Sequence, residues 1–551
     1  MSKKSNFCGK KLCHHASRAE SSKDDSEYQE GIICQEQDLK ENEMKIFKLQ
    51  DYEVLLVKQN GKINALGPLC THYKAPLVQG VLGDGRIRCK LHGACFNLET
   101  GDIEDFPGMD SLPCHKVSIE NGNVKVRAKT KELISHKRVK NMAKKAPSAK
   151  ERFVVIGGGP SGATAVETLR QEGFTGEIVF VLKENYLPYD RVLVTKQMDF
   201  DINQAQIRDV QFYQDHDIEL LKGVEAIAVN TTKKTVSLSN QSEIKYDKLY
   251  ICTGGIPRKL ACPGNNAKNI CYFKEYDDVA SLYPKLTPEC EVVVVGSSFV
   301  AMETVAFVVN KVKTVTVISK EEVPFAFSWG NTIGGAILKM FEEKGVKFIL
   351  NSELKTINKN DQEAVSSVEL INGTTLNCDF LFCGIGSTYE TDFLKDSGIE
   401  IRPDGAIEVD EYLQTNIPDV YVGGDIAYAP VWSNHDQKAN IGHYGLAHFH
   451  GRSAAINMLG KSIPIKAVPY FWTVLCGKPF RYSGYGKYDD VIYAGDLAEL
   501  KFMAFFLKGD EVISALSCGM DPLVSKFAEK LAQGKKLYRN DLKGDPLAWS
   551  K

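Results

Sequence analysis

No apolar run in the 551-residue chain approaches the roughly 18 residues that a membrane-crossing helix needs, so no membrane span is expected. Neither sign of charge dominates. The formal net charge of -2 supplies no overall basic field, and nucleic acid is not an expected partner. The N-terminus, MSKKSNFCGKKLCHHASRAESSKDDSE, lacks the apolar stretch of a secretory signal, and without Gly at position 2 it lacks a myristoylation signal. A cytoplasmic location is expected, with a mitochondrial one as the alternative. The 15 Cys lack scaffold-like spacing, which in a large chain fits reduced, buried thiols better than a disulfide framework.

Composition (43% hydrophobic, 25% charged) is that of a globular protein, and the length exceeds one ordinary core, so three or four domains are expected. The most informative stretch is Cys70-Thr-His72 followed, sixteen residues later, by Cys89-Lys-Leu-His92. A Rieske [2Fe–2S] centre uses this donor set: two Cys hold one iron and two His the other, and the neutral nitrogens raise the reduction potential. Tetrahedral Zn²⁺ also accepts Cys₂His₂, but zinc fingers usually group Cys with Cys and His with His, whereas each loop here brings one of each. Cys70, His72, Cys89 and His92 are the candidate metal ligands.

Residues 1–30 are polar and read as a disordered tail, whose Cys8, Cys13, His14 and His15 are assigned no function. From 31 to 128, short β segments such as VLLVKQN and VSIENGNVKV alternate with Gly-rich turns, predicting a small antiparallel β domain with the ligand loops at its tip. The basic, apolar-poor stretch 129–150 reads as a solvated linker.

At Arg152 an apolar strand, RFVVI, runs into Gly157-Gly-Gly159-Pro-Ser-Gly162 and then a helix. This is the dinucleotide fingerprint: the first Gly permits the turn, the second lets backbone amides approach a pyrophosphate, and the third lets helix and strand pack closely. The next strand, IVFVL, ends at Lys183-Glu184, where an acid can hold a ribose hydroxyl; Glu184 is the candidate. A second copy appears at EVVVVGSSFVAME, with Gly296, Ser298 and Ala301 at the three positions and Glu303 following. Its next strand ends in Ser319-Lys320. A neutral residue beside a cation is more hospitable to a 2′-phosphate than a carboxylate, so NADPH is admitted alongside NADH. Two such folds in one chain predict one site for a flavin and one for a nicotinamide.

These motifs, with LPYDR at 187–191, TGG at 253–255, GGDIA at 423–427, His443-Tyr444 and PYFWT at 469–473, make the chain resemble the apoptosis-inducing factor family in its Rieske-containing branch, from about residue 31 onward. The resemblance implies a Rieske domain (31–128), an FAD-binding domain in two segments (151–275 and 389–465), an NAD(P)-binding domain (276–388) and an α+β C-terminal domain (466–551) in a two-dinucleotide reductase fold. It places Arg191 and Lys196 by the flavin, Thr253 and Gly254 against its nucleotide, Asp425 after Gly424 on its ribityl chain, and His443 and Trp472 at the ring. Three departures from the family pattern stand out: Lys74 where Gly is usual, Lys90-Leu91 for Pro-Trp, and Val192 for Pro. No Cys-x-x-x-x-Cys follows the first Gly motif, which argues against a disulfide reductase. The expected activity is oxidation of NADH or NADPH through FAD to the [2Fe–2S] centre and on to an unidentified acceptor, which a protein would suit, with a homodimer as the expected assembly option. The alternative is a low-turnover redox-sensing or death-signalling flavoprotein.

Overall fold

In NVKVRAK the apolar residues alternate, and in the strand Asn123–Lys129 Val124, Val126 and Ala128 are buried while their neighbours are not. That strand belongs to a six-stranded antiparallel sheet in the order 28–35, 123–129, 114–120, 62–66, 52–59, 43–49. The structure, a computed structural model, describes residues 27–551. Cys8, Cys13, His14 and His15 lie outside the described residues. Residues 28–30, read as tail, instead open the strand Tyr28–Gln35, whose register with 123–129 gives their backbone groups partners.

A second, four-stranded sheet (81–82, 86–88, 95–97, 103–105) carries the ligand loops. The loops are built alike. The Cys70 amide donates to the Ala75 carbonyl and the Cys89 amide to the Ala94 carbonyl, each at 2.8 Å, and the amides of Lys74 and Gly93 return to the two Cys carbonyls. Lys74 (φ 53°) and Gly93 (φ 79°) hold the equivalent left-handed position, which explains why Gly suits position 74.

Two parallel sheets follow, in the orders 218–222, 177–182, 152–156, 248–251, 420–422 and 270–272, 380–383, 291–295, 314–318, 347–349. Gly157 (φ 123°) and Gly296 (φ 103°) make the same turn at the end of the equivalent strand in each. A Cβ would run into the carbonyl of Cys252 at one and of Gly384 at the other. Because Ile270–Tyr272 pairs with Phe380–Cys383, the second unit begins before residue 276, the boundary the sequence implied. Three residues on an edge strand carry too little periodicity to be read.

The C-terminal sheet is antiparallel, in the order 470–475, 478–484, 511–518, 501–508, 490–496, and the helix Leu523–Ala532 packs on it. Among the described residues no helix is long and apolar enough to cross a membrane.

The N-terminal domain is docked, not tethered. Arg88, 1% exposed, pairs with Asp105 of its own domain at 2.6 Å and with Glu529 of the C-terminal helix at 3.1 Å, and Arg86 meets Glu529 at 2.8 Å. Arg208 pairs with Asp110 at 2.8 Å, and Arg452 donates to the carbonyls of Ile103 and Glu104. The stretch 129–150 corrects the linker reading. It opens with a helix, Thr130–Ser135, and four of its cations, Lys137, Arg138, Lys140 and Lys145, pair with Asp110, Asp102 and Glu177 on either side of the junction. Its charge reads as solvated in the sequence because the acids that pair with it are remote.

Glu529→Gln leaves Arg88 buried with one of its two carboxylates, and removing one partner of a buried pair costs about 3 kcal/mol. Earlier release of the N-terminal domain in urea, followed by limited proteolysis, is the expected result; an unchanged release midpoint contradicts it.

Candidate functional site

The two Gly-loop units and the C-terminal sheet enclose a cleft of about 420 Å³. Residues 157–161 enter it where the helix Pro160–Gln171 begins, so its unpaired amides face the opening. Three features show that this end is built to receive a group. Among the described residues, a Cβ at Gly159 meets nothing within 4 Å; one at Gly162 would collide with the Gly157 carbonyl and the Phe180 ring, so the helix lies close on its strand; and Thr253 Oγ1 is buried without a partner. A dinucleotide pyrophosphate fits the open space and offers that hydroxyl an acceptor.

Farther in, the polar groups are tied to one another. Arg191 is ion-paired with Glu184, which also accepts from Tyr189 Oη at 2.9 Å. Lys196 is ion-paired with Glu303, whose other contacts are the hydroxyls of Thr195 and Thr473, both at 2.7 Å. Burial, and then Lys196, push the His443 imidazole down to about 3, so it is neutral and Nδ1 accepts the Leu446 amide at the start of the helix Tyr444–Met458. Burial pushes the Asp425 carboxyl up to about 6 against the draw of the His443 amide, Arg191 and Lys274.

At the far end stand the four proposed metal ligands. The Nδ1 atoms of His72 and His92 approach to 3.0 Å, as two imidazoles bound side by side on one ion would. Burial holds both rings neutral, His72 at about 4 and His92 at about 2, the form in which His binds metal. Cys70 and Cys89 hydrogen-bond to each other, which favours the thiolate on Cys89 and the thiol on Cys70. The amides of His72 and Tyr73 point at the Cys70 sulfur, those of Leu91 and His92 at that of Cys89. A His pair and a Cys pair are the donor sets that the two irons of a binuclear cluster take.

Trp472 joins the two ends. It lines the cleft, and its ring centroid lies 4.7 Å from that of His92, 6.0 Å from that of His72 and 5.4 Å from that of His443. The strand Tyr470–Leu475 achieves this by its period of two. Tyr470 and Trp472 face the ligand loops, Tyr470 so close that a Cβ on Gly93 would meet its ring, while Phe471 stacks near Phe299 (4.4 Å) and Thr473 reaches Glu303 on the other side.

Comparison with known proteins agrees. Residues 151–451 match the pyridine nucleotide-disulphide oxidoreductase family and residues 29–116 the Rieske [2Fe-2S] domain. The chain is 40% identical to apoptosis-inducing factor 3 of Homo sapiens over 93% of its own length and 86% of that protein's. It is 27% identical to rubredoxin-NAD(+) reductase of Ectopseudomonas oleovorans, over 64% of this chain and 92% of that one. In fold it is similar to putidaredoxin reductase in the covalent putidaredoxin reductase–putidaredoxin complex, with a TM-score of 0.69 at 22% identity over 73% of this chain and 98% of that one. Fold and cleft define a nicotinamide-linked flavoprotein oxidoreductase with an iron–sulfur domain of its own, using FAD, NAD(P)H and a [2Fe–2S] cluster. The chain belongs to the apoptosis-inducing factor family, in the branch typified by apoptosis-inducing factor 3.

Of the residues picked out by sequence, Gly157, Gly159, Glu184, Arg191, Lys196, Thr253, Gly254, Glu303, Gly424, Asp425, His443 and Trp472 line the cleft. Gly162 packs behind it. Gly296, Ser298, Ser319 and Lys320 do not line it; from the second unit Phe299, Val300 and Glu303 do. Ser319 is buried, bonded to the Ser297 hydroxyl at 2.6 Å and accepting the Glu321 amide, and Lys320 pairs with Glu353 at 2.7 Å. Sequence reasoning missed Tyr73, whose hydroxyl donates to Asp190 at 2.9 Å, and also Tyr470 and Phe471. The signal for the last two was present in the alternation of PYFWT.

Gly159 has an ordinary φ of -83°, so Gly159→Val is expected to fold and to lose flavin, whereas Gly162→Val fails to fold; the yellow colour and circular dichroism of the two variants check this. Because the Asp425 pKa is raised in the fold from the usual 3.8, its contribution is fully present below pH 4 and is lost as pH rises through about 6. Flavin-free protein should therefore lose stability across that window. Asp425→Asn should flatten the decline; parallel pH profiles of Tm for the two proteins would contradict the assignment.

Proposed function

We propose that electrons pass within one molecule, from NAD(P)H at the cleft to the [2Fe–2S] centre at Cys70, His72, Cys89 and His92, and leave for an acceptor that meets the ligand loops. The observation that carries this reading is Trp472, one side chain lining the cleft and within ring-contact distance of both ligand imidazoles. Bound FAD supplies the step between a two-electron hydride donor and a one-electron iron centre.

The chain's own residues do the rest. The amides of Gly158, Gly159 and Ser161 and the Thr253 hydroxyl bind the pyrophosphate end, and the Asp425 carboxylate orients the ribityl hydroxyls. Glu303, fixed by Thr195 and Thr473, holds the Lys196 ammonium at the ring end, where it favours negative charge. His443 stays neutral and adds no second positive charge there. Phe471, Phe299 and Trp472 keep water from the path. Tyr73 (51% exposed) and Lys74 form the open margin of the loops, where an acceptor, a ferredoxin-like protein by analogy with the relatives' names, would approach.

A low-turnover sensing role draws support from one observation, the internal engagement of Ser319 and Lys320, which leaves the nucleotide ribose without a dedicated partner there. Anaerobic stopped-flow with NADH and NADPH separates the readings, since a flavin that neither nucleotide bleaches favours sensing. In the electron-transfer reading, Trp472→Leu leaves flavin bleaching near the parental rate and slows cluster reduction by an order of magnitude or more. Equal rates for the cluster in variant and parent would remove Trp472 from the path.

A further inference from the structure

Arg481 stands directly opposite Trp472 in the register of the C-terminal sheet, so the two side chains share the face that meets the ligand loops. It is 4% exposed, an unusual state for a guanidinium without close pairing. Its partners are few. Nη1 donates to the Phe480 carbonyl at 3.1 Å, Nη2 lies 3.9 Å from Asp521, and among the described residues Nε has no partner at all. Arg88, the other buried guanidinium at this junction, is by contrast bonded to two carboxylates. The same face brings Tyr470 against Gly93 and Trp472 against His92, and Ser525 donates to the Cys89 carbonyl at 3.2 Å. Arg481 is therefore a buried positive charge with only a distant carboxylate, held by a different domain on the sheet face that meets the second ligand loop.

We propose that Arg481 is a positioning residue for the electron: its buried charge, supplied by the C-terminal sheet, raises the reduction potential of the [2Fe–2S] centre in the docked domain. The inference rests on the ligand assignment above. One electron arriving at the centre, with no proton, makes it one charge more negative, and a fixed cation nearby stabilises that form. Away from water the field is little screened, so a single charge acts at a distance where a surface one would not. Asp521, the weak counter-charge, partly offsets Arg481 and makes an opposite test possible.

The experiment is a redox titration of the full-length, iron- and flavin-loaded protein, following the cluster by electron paramagnetic resonance. Arg481→Gln is expected to lower the potential by an amount equal to at least tenfold in the one-electron equilibrium, about 59 mV. Arg481→Lys, which keeps the charge, should stay near the parent, and Asp521→Asn should move the potential upward. An unchanged potential in Arg481→Gln overturns the proposal, as does an equal fall in Arg481→Lys, which would mark the effect as packing. If Arg481→Gln takes up no iron, Asp521→Asn decides, an upward shift supporting the proposal and none overturning it. The ligand assignment is tested separately by the parent's spectrum, since a Rieske signal that survives His92→Ala would sink that assignment whatever Arg481 does.

Discussion

A guanidinium shut away from water needs polar partners, and Arg88 takes two carboxylates, one of them from another domain. That requirement fixes where the Rieske domain sits. With Glu529 in place the C-terminal helix lies against the small sheet, and the loops on that sheet then meet Tyr470 and Trp472 at contact distance. Without that pair the junction loses its one fully buried ionic contact among the described residues. The remaining junction contacts, Asp110 with Arg208 and Arg452 with two strand carbonyls, lie along the same seam and resist rotation about the first.

The strand Tyr470–Leu475 converts this placement into a path. A β-strand presents successive residues to opposite sides, so a single extended segment can serve two neighbours with no loop of its own. Tyr470 and Trp472 face the Rieske domain, while Phe471 and Thr473 face the second Gly-loop unit through Phe299 and Glu303. Register makes this arrangement brittle: a slip of one residue would exchange the two sets.

What could be read in the chain beforehand was what is local. Two Cys-x-x-His-like loops and two Gly turns announce themselves because the donors, or the small residues, lie within one short segment whose backbone geometry is shared wherever the chemistry recurs. Lys74 shows the limit of that reading, since only its left-handed φ explains the Gly usual at that position. Arg481 and Tyr470 lie on the sheet face that meets the second ligand loop, yet they are nearly four hundred residues from it in the chain, and the alternation in PYFWT shows a two-faced strand without showing what either face meets. Ser319 shows the reverse case. It occupies the ribose position by sequence order, but its hydroxyl closes a bond to Ser297 within its own unit, a choice fixed by packing and invisible in one dimension. The stretch 129–150 was illegible for the same reason: cations look solvated until the folded chain brings Asp102, Asp110 and Glu177 beside them.

The twin ligand loops are the same turn made twice, but their surroundings are not twins. One has its left-handed corner at Gly93, roofed by a tyrosine ring; the other has it at Lys74, in solvent. A neighbouring domain thus closes the corner of one loop and leaves the corner of the other to water, so two copies of one turn meet the outside of the molecule on unequal terms.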